Sequence, residues 1–286
     1  MEVKTIGVLG AGTMGNGIAQ VAAQTGYNVI MRDIKDEFVA NGLKNIDKFL
    51  SKSVEKGKIE ASEKDAVLGR IKGTTEMSEL KDVDLVIEVV LEDLALKKTV
   101  FKELDEICRP DVILASNTSS MSITEIAAAT NRPEKVCGMH FFNPVPLMKL
   151  VEIIRGVGSS DETIAACTEM AKKMGKITVE VKKDCPGFIV NRCMIPHMIE
   201  AIRIVEEGVA SIEDVDTAVK NGLNYPMGPF QLMDLTGIDI AYFVTEYFFG
   251  ELNKELKWAP PTLLKNMIRA NKLGRKTGAG WYDYSK

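Results

Sequence analysis

Gly10-Ala11-Gly12-Thr13-Met14-Gly15 spells G-x-G-x-x-G, and its setting gives that pattern meaning. A short apolar run, Ile6 to Leu9, precedes it, and a helical pattern of Met14, Ile18, Val21 and Ala22 follows. In a strand–turn–helix of this kind the first glycine permits the tight turn. The second lets backbone approach a pyrophosphate, and the third lets helix and strand pack closely. The helix N-terminus then turns its unbonded N–H groups and its dipole toward the phosphates. Gly10, Gly12, Thr13, Met14 and Gly15 are therefore the expected dinucleotide-binding loop. A second strand, Asn28 to Arg32, ends at Asp33, 18 residues beyond Gly15. That is where an acid binds the adenosine ribose hydroxyls. Asp33 repels a 2′-phosphate, so NAD is the expected cofactor, while the adjacent Arg32 keeps NADP open.

Working outward, strand and helix keep alternating. A helix over about 37–56 buries Val39, Leu43, Ile46, Leu50 and Val54 at helical spacing. Lys44, Lys48, Lys52 and Lys56 recur every four residues on another side, an exposed ridge that invites an anionic partner. A strand over 84–90, a helix over about 94–108 and a strand over 112–115 follow. The expected fold is α/β: a doubly wound Rossmann-type parallel sheet with a second, all-helical domain. In such sheets ligands bind beyond the carboxyl ends of the strands. Two strand ends arrive there in succession, one presenting Asn117, Ser119 and Ser120, the other His140 and Asn143. A third strand, 149–154, carries Glu152 among Leu150, Val151, Ile153 and Ile154, where a charge is costly unless paired. An imidazole suits proton transfer near neutral pH, and it needs an acceptor on its second nitrogen to fix the tautomer. His140 and Glu152 are the candidate pair. The plain alternative is a core histidine bonded to a backbone carbonyl.

Past Asp184 the alternation stops. Pro186-Gly187-Phe188 marks a hinge, and helices are expected over about 190–207, 212–222, 230–250 and 261–271. The expected domains are 1–184, binding NAD, and 185–286, all-helical. Asn191, in the first turn of its helix, could reach a cleft between them. His197 has no evident partner. Phe243, Tyr247, Phe248 and Phe249 offer a broad aromatic surface, and 274–280 is the one loop-rich segment.

The chain has 286 residues, 45% hydrophobic and 27% charged, with a net charge of −4. This is ordinary globular composition and argues against a nucleic-acid binder. No apolar run approaches the ~20 residues of a membrane span, and no secretory signal precedes the first strand. Five cysteines without a Cys-x-x-Cys spacing, and two histidines, supply too few ligands for a zinc site, so no metal is expected. Reduced thiols and a cytoplasmic location are the simplest reading. Cys137 and Cys193 are read as small core residues.

The motifs GAGTMGNGIAQ (10–20), ASNTSS (115–120), HFFNPVPLMKLVE (140–152), PGFIVNR (186–192), YPMGPF (225–230) and LGRKTGAGWYDY (273–284) together resemble the 3-hydroxyacyl-CoA dehydrogenase family over nearly the whole chain. Within that family the bacterial 3-hydroxybutyryl-CoA dehydrogenases are the nearest type. The resemblance implies that His140 is the general base and Glu152 orients it, with Ser119 and Asn191 binding the reacting oxygen. It implies nicotinamide-side contacts at Glu92, Lys97, Asn117, Asn143 and Lys276. It further implies a homodimer acting on a short-chain 3-hydroxyacyl-CoA in fatty-acid and butanoate metabolism. For the CoA phosphates, Lys52 and Lys56 are the residues chosen from the ridge, with Ser51 and Ser53 beside them. The rival readings are a dehydrogenase of free hydroxy or sugar acids, which would need an arginine clamp, and a crystallin-like nucleotide-binding protein without catalysis.

Overall fold

The structure, a computed structural model, describes residues 3–285; Met1, Glu2 and Lys286, at the limits of the two expected domains, lie outside the described residues. The chain divides into two compact units, Met1–Cys185 and Pro186–Lys286.

The first unit is one eight-stranded sheet. Its strands are β1 (Thr5–Leu9), β2 (Asn28–Arg32), β3 (Ile71–Thr74), β4 (Leu85–Glu88), β5 (Ile113–Ser116), β6 (Val136–Phe141), β7 (Leu150–Ile154) and β8 (Ile177–Val181), in the order β3-β2-β1-β4-β5-β6-β7-β8. Six helices join them: α1 (Thr13–Gln24), α2 (Asp36–Glu55), α3 (Ala61–Gly69), α4 (Leu94–Ile107), α5 (Ile123–Ala127) and α6 (Asp161–Lys173). The strand order reverses at β1, which creates the switch point where such sheets bind ligands. β4, β5 and β6 are buried along their whole length, as strands covered by helices on both faces must be. Ile18, Ala19 and Ala22 of α1 pack with Ile6, Val8 and Met31 in one core. Truncating Ile18 to alanine there would cost about 2–5 kcal/mol.

One pairing departs from the parallel sheet expected from sequence. β6 and β7 are antiparallel, with His140 opposite Glu152. The reason is length: the connection, residues 142–149, is shorter than the dozen or more residues a parallel crossover requires. The connection contains the cis Asn143–Pro144 bond. Lys176 holds it, donating from a buried ammonium to the Val145 carbonyl at 2.6 Å and the Met148 carbonyl at 2.8 Å.

The second unit is helical: α7 (Val190–Glu206), α8 (Ile212–Gly222), α9 (Pro229–Thr236), α10 (Ile238–Glu251) and α11 (Thr262–Arg269). The single helix expected over 230–250 is two, broken at Gly237, whose φ of 109° no helix accommodates. Of the expected aromatic surface, Phe248 is core, packed edge-on to Trp258, whereas Phe243 is exposed. His197 rests against the Tyr225 ring. The loop-rich C-terminal segment is pinned by two buried carboxylates. Asp216 accepts from the Phe230 and Gln231 amides and the Tyr282 hydroxyl, and Asp234 accepts from the Trp281 and Tyr282 amides.

Cys137 is buried beside Cys167, their sulfurs 3.3 Å apart, but Cys193 is exposed rather than core. It lies on the solvated side of α7, opposite Ile195, Ile199 and Ile202. Among the described residues no helix is long and apolar enough to cross a membrane.

Candidate active site

β1 delivers the chain into Gly10, whose φ is +117° and where a Cβ would lie 2.6 Å from the Val89 carbonyl oxygen. At Gly15 a Cβ would sit 1.9 Å from the Gly10 oxygen, so α1 can approach the loop only through glycine. Gly12 faces open space and begins α1 with no side-chain cap, leaving the first-turn N–H groups of Thr13 and Met14 for a ligand. Asp33 accepts from the Ala11 amide at 2.7 Å and from the Ile34 amide at 2.7 Å, so it braces the loop as well as presenting its charge. Arg32 is drawn aside, its Nε donating to the Thr75 carbonyl at 3.0 Å. A glycine cradle, an uncapped helix start and a braced acid are the donor set a dinucleotide requires, and the residues fit it.

Across the sheet, His140 Nδ1 lies 2.7 Å from Glu152 Oε2, with the histidine 6% and the glutamate 0% exposed. Directly opposed antiparallel residues project to the same face, so the strand register alone brings them together. A carboxylate at that distance takes Nδ1–H as its donor, which makes Nε2 the nitrogen that accepts a proton. Phe142 stacks at a tilt on the imidazole, centroids 4.5 Å apart. The Asn117 side-chain oxygen accepts from the Phe141 amide at 2.9 Å, tying the end of β5 to the residue after His140. Asn143 follows on the exposed connection.

Between the glycine loop and His140 lies a partly buried ionic network. Glu92 Oε1 accepts from the Thr118 hydroxyl (2.6 Å), the Ser119 amide (2.9 Å) and the Ser119 hydroxyl (3.1 Å). Its other oxygen meets Lys97 Nζ at 3.3 Å. Burial opposes ionisation of Glu92, but Lys97 and these hydrogen bonds outweigh it and hold the carboxyl below the usual carboxylate range. Lys97, expected at the nicotinamide, is only 1% exposed and turns inward to Glu88, 2.8 Å away. Sequence reasoning missed Glu88. The signal was present: an acid in an otherwise apolar strand, the same feature that selected Glu152.

The remaining expected residues are not part of this network. Asn191, second residue of α7, and Lys276, whose ammonium meets Asp239 at 2.5 Å, belong to the helical unit. On α2, Lys44, Lys48, Lys52 and Lys56 are all exposed. Ser51 is engaged by Lys64 of α3, which also pairs with Asp47, and Ser53 donates to its own helix. Lys52 and Lys56 stand about 24 and 30 Å along the axis from Asp36, at about 1.5 Å per residue.

The sequence profile described as "3-hydroxyacyl-CoA dehydrogenase, NAD binding domain" matches residues 5–185, and that described as "3-hydroxyacyl-CoA dehydrogenase, C-terminal domain" matches residues 187–284. The chain is 48% identical over 286 residues to a probable 3-hydroxybutyryl-CoA dehydrogenase of Bacillus subtilis, covering 100% of this chain and 99% of that protein. It is 47% identical to the 3-hydroxybutyryl-CoA dehydrogenase of Clostridioides difficile, covering 98% of this chain and 99% of the relative. Among solved structures, (S)-3-hydroxybutyryl-CoA dehydrogenase from Ralstonia eutropha superposes with a TM-score of 0.97 at 46% identity, covering 100% of both chains.

Proposed function

The chain belongs to the 3-hydroxyacyl-CoA dehydrogenase family, and we propose that it interconverts a short-chain 3-hydroxyacyl-CoA and its 3-ketoacyl-CoA with NAD(H). The observation that carries the mechanism is the buried His140–Glu152 pair, aligned by the β6–β7 register. The bound nicotinamide supplies the hydride acceptor or donor. In oxidation His140 Nε2 takes the proton of the 3-hydroxyl, and the carboxylate of Glu152 stabilises the resulting imidazolium. In reduction the same imidazolium returns that proton to the reacting oxygen. Ser119 turns its hydroxyl from Glu92 toward the reacting oxygen, and Asn191 donates to the substrate from the helical unit; both act electrostatically, where charge develops. Glu92, Lys97, Asn117, Asn143 and Lys276 order the nicotinamide side, Lys97 through its hold on Glu92. Lys52 and Lys56 receive the CoA phosphates, whose distance from the reacting carbon suits residues at the far end of α2.

The exposed apolar side chains of the helical unit, Leu235, Ile240 and Phe243, support a homodimer built through it. A cytoplasmic location fits cysteines that form no disulfide among the described residues. The test is NADH oxidation on adding acetoacetyl-CoA, run beside free acetoacetate. Turnover of the thioester with little of the free acid is expected; turnover of the free acid at a matching kcat/KM would overturn the CoA reading.

A further inference from the structure

Glu88, Lys97 and Glu92 form a cluster in which one ammonium serves two carboxylates. Glu88 closes β4 and is registered with Leu9 of β1 and Ser116 of β5. It is 0% exposed and fully engaged: Oε1 accepts from Lys97 Nζ at 2.8 Å and the Val90 amide at 2.7 Å, and Oε2 from the Ser116 hydroxyl at 2.6 Å. Lys97 Nζ also meets Glu92 at 3.3 Å. With all three groups ionised the cluster carries a net charge of −1. Glu92 is held in its ionised form by Lys97 and its other donors, against the effect of burial.

The cluster also has a defined place along the cofactor path. Asp33 marks the ribose end beyond β2, and the α1 N-terminus marks the pyrophosphate. The glycine loop is in contact with Val89, next to Glu88. A dinucleotide laid from Asp33 over that loop continues past the ends of β4 and β5 toward His140 at the end of β6. Its nicotinamide end therefore passes the cluster. That ring is cationic when oxidised and neutral when reduced, whereas the pyrophosphate charge is the same in both. Lys97 opposite a single carboxylate would leave the site neutral. The second carboxylate leaves an excess negative charge, buried and little screened by salt.

We infer that this cluster biases the enzyme toward the oxidised cofactor, with Glu88 as a positioning and charge-setting residue that itself touches none of the reacting atoms. The inference rests on the NAD-dependent reading above. It is tested with the full chain, without substrate, by measuring Kd for NAD⁺ and for NADH by calorimetry at pH 7.5. Glu88→Gln, which brings the cluster to neutrality, should raise the ratio Kd(NAD⁺)/Kd(NADH) about 3- to 30-fold, the range for one charge at intermediate distance in a partly desolvated site. A tenfold change corresponds to about 30 mV in the bound two-electron couple. Glu88→Gln/Lys97→Gln restores the net charge of −1 and should return the ratio to within about twofold of wild type. Ser116→Ala removes a hydrogen bond but no charge and should leave the ratio in place. Glu92→Gln removes a carboxylate by another route and should move the ratio as Glu88→Gln does, which keeps the test open should Glu88→Gln not fold. Equal weakening of both cofactors, or a double variant that keeps the ratio of the single one, would overturn the inference. A wild-type chain that binds neither dinucleotide would instead overturn the cofactor reading.

Discussion

Glu152→Gln is the sharpest probe of the catalytic pair, because it keeps the shape of a fully buried side chain and removes one charge. In the wild type the carboxylate lies 2.7 Å from His140 Nδ1. Unit charges about 4 Å apart at an effective dielectric constant of about 20 interact by about 4 kcal/mol. That attraction exists only while the imidazole is protonated, which is the form the transition state approaches. At 1.36 kcal/mol per tenfold, its loss predicts a fall in kcat of about 10³. The amide can also donate to Nδ1, which would place the proton on Nε2 and block the base outright, a change in the same direction. The assay for that fall is the steady-state rate of NAD⁺ reduction by 3-hydroxybutyryl-CoA, the direction in which His140 gains the proton, with NADH oxidation by acetoacetyl-CoA followed across pH 5–9 and NADH affinity measured separately. The reduction profile should move to lower pH, since the imidazolium has lost its countercharge, while NADH binding stays within about threefold. A kcat within about threefold of wild type, with an unmoved profile, would refute Glu152 as the partner of His140.

His140→Ala should lower kcat by about 10²–10⁴ while NADH binds normally, so near-normal turnover would reject it as the acid–base. NADH should give a higher kcat/KM than NADPH, because Asp33 is fixed at the loop while Arg32 is committed to Thr75; preference for NADPH would reverse that reading. Lys52→Glu/Lys56→Glu should raise KM for acetoacetyl-CoA several-fold and spare acetoacetyl-pantetheine, which lacks the distal phosphates; equal losses on both would make the ridge a solvated face. Burial disfavours the Asp105 carboxylate, but hydrogen bonds from Asn131 and Arg132 outweigh it and lower its pKa below the ordinary value. A depressed carboxylate contributes stability above its unfolded pKa, about 3.9, and loses it as pH falls through the folded value. Tm should therefore drop below about pH 4, and Asp105→Asn should show a shallower drop in melting curves; parallel curves would discount the clamp.

Much of the site was legible because its signals are local. The glycine loop is read from six consecutive residues, and Glu152 from a charge inside an apolar strand. The orientation of β7 was not, since an apolar run reads the same in either direction and only the length of 142–149 decides it. Gly237 looks like any helical glycine until its positive φ is known, so α9 and α10 merged into one. Cys193 lies in an apolar stretch, yet helical phase turns it outward. Glu88 escaped, and so did its pairing with Lys97, because that contact depends on α4 folding back over the end of β4. No spacing rule encodes that contact.

The antiparallel return of β7 also makes chemistry hostage to alignment. Side chains alternate faces along a strand, so slipping β7 by one residue against β6 would send Glu152 to the opposite face from His140 while exchanging one set of aliphatic neighbours for another. Lys176, gripping the carbonyls of Val145 and Met148, fixes the length of the connection that prevents such a slip. Single-residue insertions or deletions between Phe142 and Lys149 should thus be purged from functional descendants of this gene, even where the altered hairpin still folds. The lineage is free to vary which residues fill that connection, and far less free to vary how many.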